Sequence, residues 1–336
     1  MRVAVVEGQP HHAWILAPIA AAFAAAGDSV IRVAHRPAHP HDWLSERSIR
    51  HAPRTDVDAV IAADGPYAPL REHWPRALVV AVRSSLASSG NTWDHVHVEG
   101  AHVVPTWSTW DEMEHARHGC RLPAHEVRTG PAWLASAPRD PQPATRARHR
   151  VLWAPSSVPT WRRTDEVARA LAGLVADGWG VTVRPHPHTG WRERGWVDEV
   201  AHAGLRVDGA AVLLDDPDAA PWGALGSVDA VIADAGGCAL LACAWPDVRV
   251  LWVDPPAGTL RTHARHDPAG PEWRYRDVVG TRVEPDGIAL ALSLPDTLAA
   301  RVDRARVWAA IVGPDPWGAP ARLRARLAEL TSSRRP

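Results

Sequence analysis

The sequence predicts an α/β protein built from two Rossmann-like domains facing a cleft. Short apolar, β-branched runs alternate with helical stretches along most of the chain, the pattern of a parallel sheet with crossover helices. The alternation stops once, in a proline-rich stretch, and then starts again. At 336 residues the chain is long enough for two domains, each with its own core.

In the first half RVAVV (2–6) is a strand, followed by a loop and a helix from about Ala13 to Ala26. DSVIRVA (28–34), DAVIAA (58–63) and ALVVAV (77–82) are further strands, with HVHVEG (95–100) and HVVPT (102–106) as shorter ones. TWDEMEHARHG (109–119) reads as a helix, with acids in its first turn to meet the dipole and a terminal glycine. SAPRDPQPATRARHR (136–150) is polar, aperiodic and contains three prolines, which marks it as the linker. The pattern then resumes with RVLWAP (150–155), a helix over Thr164–Ala176, GVTVRP (180–185) and a helix over Arg192–Ala203. VLLDD (212–216), DAVIAD (229–234), a short helix from Gly237 and VRVLWVD (248–254) continue it. Helical stretches near Pro295–Ala310 and Ala319–Leu330 close the chain. The expected boundaries are 1–146 for a first, acceptor-side domain and 147–312 for a second, nucleotide-binding one. Residues 313–336 form a final helix and tail that can cross back to the first domain.

Composition removes several chemistries. All 37 basic side chains are arginine, so no mechanism built on a lysine Schiff base or a lysine phosphate clamp is open to this chain. The formal net charge is −1 and neither half is basic, which disfavours tracking of a nucleic-acid backbone. Cys120, Cys238 and Cys243 are odd in number and lack a CxxC spacing, as expected of reduced thiols in a cytoplasm. The longest apolar stretch is interrupted by Pro18 and too short to span a bilayer. Arg2 leads directly into a strand-like VAVV, so nothing at the start resembles a signal peptide and none is expected. The expectation is a soluble, cytoplasmic protein.

In doubly wound sheets ligands sit at the carboxyl ends of strands, and here four strand exits carry chemistry. EGQPHHAW places Glu7, Gly8, His11 and His12 at the first. Gly8 allows close backbone approach, and one histidine could serve as general base for an acceptor hydroxyl. Because 13 of the 19 histidines fall in residues 1–146, an ordinary surface position is the competing account of each. WAPSS offers the hydroxyls of Ser156 and Ser157 to phosphate oxygens, unless Ser157 merely caps the next helix. DAGGCAL follows Asp234 with Gly236 and Gly237, which bare backbone N–H groups to an anion or simply make a tight turn.

VTVRPHPHTG is the fourth exit. Arg184 can hold a phosphate bidentately. His186, fixed between Pro185 and Pro187, can donate to a diphosphate or protonate a departing phosphate, and His188 stands beside it. No carboxylate or cysteine lies at ligating distance along this loop, so no metal is expected there.

These second-half pieces, in order over about residues 150–327, resemble the CDP-glycerol glycerophosphotransferase family of GT-B fold. The family's "APT/S" turn is similar to Val151–Ser157, its "R-P-H-P" loop to Arg184–Pro187, and its aspartate-rich stretch to Asp215–Gly237. GPDPWGAPARLRARL (313–327) resembles its closing helix. The resemblance implies that Arg184 and His186 contact a donor diphosphate while Ser156, Ser157, Gly236 and Gly237 line its phosphates, with Asp234 nearby. Two departures stand out. Ala235-Gly236-Gly237 replaces the family's serines and is similar to the "DSGG" turn of UDP-GlcNAc 2-epimerases. The family's first-domain His-Gly pair has no counterpart in VRSSLASSGN (82–91), near Ser84 and Ser85, so a base must come from Glu7, His11 or His12.

The implied function is transfer of a glycosyl or polyol-phosphate group from a nucleotide-diphosphate donor to a hydroxyl acceptor, with no cofactor beyond that donor. A nucleotide-sugar 2-epimerase and a non-catalytic nucleotide- or partner-binding relative are the alternatives. A DNA-base acceptor is a variant that the charge balance disfavours.

Overall fold

The structure is a computed structural model that describes residues 1–34, 49, 52, 54–65, 67–83, 86, 98–122, 125–139, 149–187, 195–205, 212–259, 267–313 and 315–334. The chain divides into two compact units. Unit 1 comprises residues 1–84, 91–139 and 309–336, and unit 2 comprises 85–90 and 140–308.

Unit 1 is a six-stranded parallel sheet in the order β2-β1-β3-β4-β5-β6. Its strands are β1 (Arg2–Glu7), β2 (Ser29–Ala34), β3 (Ala59–Ala63), β4 (Leu78–Val82), β5 (Val103–Thr106) and β6 (His125–Arg128). Every residue of β3, β4 and β5 is buried. This explains why they read as unbroken apolar runs rather than alternating ones: helices cover both faces of such a sheet. The connecting helices include α1 (His12–Ala25), α2 (Ala68–His73) and α3 (Thr109–Arg117).

Unit 2 repeats the plan with a six-stranded sheet in the order β12-β11-β10-β7-β8-β9, all pairs parallel. Its strands are β7 (Arg150–Trp153), β8 (Gly180–Val183), β9 (Val212–Leu214), β10 (Ala230–Ala233), β11 (Arg249–Val253) and β12 (Thr281–Val283). Helices α4 (Thr164–Ala176), α5 (Trp196–His202), α6 (Trp222–Gly226) and α7 (Gly237–Leu241) follow the strands, and α8 (Pro271–Arg274), α9 (Arg276–Val279) and α10 (Ile288–Ser293) complete the unit. In α4 the apolar positions Val167, Ala168, Leu171 and Leu174 fall on one stripe and are buried against Val151, Trp153 and Val181.

Helix α11 (Leu298–Val312) belongs to unit 2 as far as Trp308 and to unit 1 from Ala309, and α12 (Ala319–Ser332) lies wholly in unit 1. Polar bonds fix this returning segment within unit 1. Ser108 Oγ donates to the carbonyls of Ala310 and Ile311 at 2.9 and 3.0 Å. Arg322 donates to the carbonyl of Thr129 at 2.6 Å, and Arg324 reaches Asp28 at 2.9 Å. The Arg324 contact, ahead of the N-terminal ammonium, holds the Asp28 carboxyl below its ordinary range.

Most strands stand within two residues of their expected positions. HVHVEG does not: 98–100 form a turn in which Gly100 takes φ 84, and 95–97 lie outside the described residues, as does most of the expected linker. Among the described residues no helix is long and apolar enough to cross a membrane.

Candidate functional site

In unit 2 the chain runs outward from β7 through β8 to β9, returns to β10 on the other side of β7, and continues to β11 and β12. The direction of winding reverses between β7 and β10. Connections leaving those two strands diverge to opposite faces, and a crevice opens at their carboxyl ends. In unit 1 the same reversal falls between β1 and β3. Two of the four strand exits marked by the sequence therefore lie at the unit 2 reversal and one at the unit 1 reversal.

A hydrogen-bonded clasp closes across the unit 2 reversal. Asp234, just past β10, accepts the backbone N–H of Ser156 at 2.7 Å on Oδ1 and the Ser156 hydroxyl at 3.0 Å on Oδ2. The N–H of Ala235 adds a bond at 2.6 Å. Ser156 and Asp234 are 3% and 4% exposed. Burial pushes the Asp234 carboxyl up, and the donors from Ala235 and Ser156 oppose that rise by favouring the charged form. Both side chains thus serve the turn itself. Ser157, Gly236 and Gly237 are half-buried beside it. A Cβ placed on Gly236 would meet no atom within 4 Å, so this bend keeps open space next to its amides.

Asp234 also lines a small crevice, together with Trp153, Pro155, Val253 and two arginines, Arg162 and Arg163. Arg163 is paired with Glu166 and Glu284. The guanidinium of Arg162 lies 6.0 Å from the centroid of the Trp196 ring. The sequence reading missed both arginines, although they follow the WAPSS turn directly in PTWRR and the strand-exit rule would have reached them.

Arg184 is 5% exposed. Its guanidinium is paired with Asp215 and donates to the carbonyls of Asp216 at 3.0 Å, Pro217 at 3.4 Å and Ala219. The arginine assigned to a phosphate from sequence is here gathered into the 215–219 segment, because four acceptors on that segment converge where β8 ends. It also touches the Cys238 thiol, which burial pushes up. His186 is half-buried at the same exit, and His188 lies outside the described residues.

In unit 1 Glu7 is held by Arg32, with Nη2 2.7 Å from Oε1. The buried Gly8 N–H donates to His12 Nδ1 at 3.2 Å, a bond that places the ring proton on Nε2. His11 and His12 are 9% and 2% exposed, with ring centroids 4.6 Å apart. Across the reversal stands Asp64, whose carboxylate lies 3.8 Å from His12 Nε2. Asp64 takes φ 48, the only non-glycine residue with positive φ among the described residues. This residue escaped the sequence reading, although it ends the DAVIAAD run in the way Asp234 ends DAVIAD. Burial first, and then the Asp64 charge, push the neighbouring Tyr67 phenol up. Ser84 and Ser85, where the resembling family has its histidine, lie outside the described residues. Next to them Arg83, at the end of β4, is fully buried against Asp111 with Nη1 2.6 Å from Oδ1.

No protein-family model matches the chain, and no curated protein matches it. Solved structures do. A putative UDP-N-acetylglucosamine 2-epimerase from Listeria monocytogenes aligns over 100% of this chain and 98% of its own, with a TM-score of 0.63 and 15% identity. The fold is GT-B-like. A UDP-GlcNAc 2-epimerase from Neisseria meningitidis bound to UDP-GlcNAc aligns over 98% and 100%, at 0.63 and 11%. The wall teichoic acid polymerase TagF aligns over 99% of this chain and 89% of its own, at 0.62 and 8%. At such identities the likeness is one of fold.

Proposed function

We propose that this GT-B-like chain is an enzyme acting on a nucleotide-diphosphate-activated substrate, bound at the carboxyl ends of β7 and β10. The observation that carries the reading is the unit 2 reversal. There a buried Ser156–Asp234 clasp is followed by a side-chain-free bend at Gly236-Gly237, and Asp234 lines a small crevice with two arginines. Backbone amides at such a bend bind phosphate oxygens, and preorganised donors stabilise the charge that develops on a departing diphosphate. Arg162 is proposed to supply positive charge, Arg163 being shared with Glu166 and Glu284, and Arg184 braces the neighbouring 215–219 segment. His186 is proposed to meet the diphosphate from the β8 exit.

The reaction we favour is transfer of a glycosyl or polyol-phosphate group to a hydroxyl. Activation of that hydroxyl falls to His11, His12 and Asp64 at the unit 1 reversal. The DAGG turn, together with the fold shared with two UDP-GlcNAc 2-epimerases, supports epimerisation of a nucleotide sugar as the second reading. One experiment separates them. The protein is incubated with UDP-GlcNAc or CDP-glycerol, with and without alcohol acceptors, and products are followed by NMR and mass spectrometry. An adduct with the acceptor and free nucleotide is the expected outcome. A sugar isomer formed without acceptor would establish the second reading, and neither product from any donor would overturn both. His186→Ala should lower turnover by orders of magnitude with stability held within about 1 kcal/mol, the range of surface-loop substitutions.

A further inference from the structure

The cluster at the unit 1 reversal is more specific than acceptor chemistry requires. His11 and His12 begin helix α1, and Asp64 leaves β3, 52 residues later in the sequence. Only the parallel pairing of β1 with β3, with Val6 opposite Ala62, brings them together. One potential ligand atom from each of the three lies within 4.8 Å of the other two, and His12 Nε2 to Asp64 Oδ2 is 3.8 Å. An ion with bonds of about 2.0–2.2 Å to nitrogen and oxygen sets its ligands about 3–3.5 Å apart along a polyhedral edge. The side chains need to contract by an ångström or so, within rotamer adjustment. The backbone supports the placement. Asp64 sits in the left-handed region at φ 48 and Gly65 follows at φ 30, a conformation that L residues adopt rarely and that concentrates at functional sites.

We infer that His11, His12 and Asp64 form a binding site for one divalent transition-metal ion of the zinc class, with further coordination positions open to water or a substrate oxygen. Two imidazoles and one carboxylate are the donor set of such ions, whereas magnesium and calcium favour oxygen ligands. Sequence spacing could not show this, because the carboxylate arrives through the sheet.

The Gly8 contact must yield. His12 Nδ1 accepts the Gly8 N–H at 3.2 Å, so coordination through Nε2 moves the ring proton to Nδ1 and displaces that amide. A single neutral hydrogen bond is weak beside a metal–imidazole bond, so coordination wins. The exchange also leaves a signature at Gly8.

The test uses the full chain after chelator treatment and dialysis. Zinc, cobalt and magnesium are titrated separately by calorimetry, with bound metal counted by elemental analysis. The expected result is one equivalent of zinc or cobalt, weak magnesium binding, and a shifted Gly8 amide resonance. His12→Gln and the near-isosteric Asp64→Asn should each weaken zinc binding by more than about 100-fold, beyond the 10–100-fold typical of losing an outer-shell partner. His202→Gln, exposed on α5 in unit 2, should leave it unchanged. Circular dichroism confirms that each variant folds. Absence of stoichiometric zinc, or an Asp64 or His12 variant that binds zinc as tightly as the parent protein, overturns the site. No nucleotide enters this experiment, so its failure leaves the donor-site reading standing, and the converse holds.

Discussion

At the scale of single residues, some buried polar groups are satisfied and others are not. Asp234 meets three N–H or O–H donors and Arg83 is matched by Asp111. His115, on α3, is 1% exposed, and neither ring nitrogen has a hydrogen-bond partner among the described residues. Desolvation, and then the nearby Arg83 charge, push its imidazole down to about 3. The sign of the consequence is fixed. Folded protein keeps His115 neutral, while the unfolded chain takes up a proton below its ordinary value near 6.5, so stability falls as the pH drops from 6.5 towards 3. At about 1.4 kcal/mol per pH unit, roughly 2 kcal/mol is lost from this residue between pH 6.5 and 5. His115→Leu keeps the volume and removes the proton site. Urea unfolding at pH 7 and pH 5 should show a drop smaller by about 2 kcal/mol in the variant. An equal drop in both proteins would mean that His115 is hydrated or paired.

At the scale of elements, packing of β12 against β11 rests on a missing side chain. Gly280 is extended, with φ −153 and ψ −172, so conformational freedom is not why glycine stands there. A Cβ would come within 2.4 Å of the Val250 carbonyl oxygen and 2.8 Å of Trp252 Nε1. Gly280→Ala must push the start of β12 off the sheet edge, and overpacking of this kind destabilises by about 1–3 kcal/mol. Thermal melting checks it, and an unchanged midpoint would refute it. The same edge shows where sequence reading ran out. Central strands such as AVIAA and LVVAV are buried on both faces and announce themselves as apolar runs. By contrast β6 and β12 are edge strands spelled HEVR and TRV, and β12 is largely exposed, so no apolar periodicity was there to read. Helix α4 was legible to its bounds because a single buried stripe writes a 3.6-residue period. Asp64, Arg162 and Arg163 were legible in kind but not in place. Residue type and strand-exit position were visible, whereas the strand order that makes an exit a crevice is set by long-range pairing. The acceptors of Arg184 on 215–219 were likewise out of sight in the sequence, because they arrive only through the fold.

At the scale of the whole molecule, two sheets with two separate cores imply that ligands and mutations acting on one reversal should be read out in one unit. Asp234→Ala strands the N–H groups of Ser156 and Ala235 and the Ser156 hydroxyl in a buried turn, and should destabilise unit 2 by at least about 2–3 kcal/mol. A nucleoside diphosphate bound to the folded unit at a hundred times its dissociation constant adds about 2.7 kcal/mol. In a unit of this size each kcal/mol moves the midpoint by roughly 2–4 °C, so both effects are measurable by scanning calorimetry with UDP, CDP or GDP in turn. The expected outcome is that the transition lowered by Asp234→Ala is the one raised by the preferred nucleotide, and that the variant loses most of that rise because the bend next to its amides is no longer held. His115→Leu, acting through unit 1, should leave the nucleotide response intact. A nucleotide that raised the transition of the Asp234 variant by as much as that of the parent would place its binding elsewhere. The β7–β10 crevice would then be a structural seam and not a donor site.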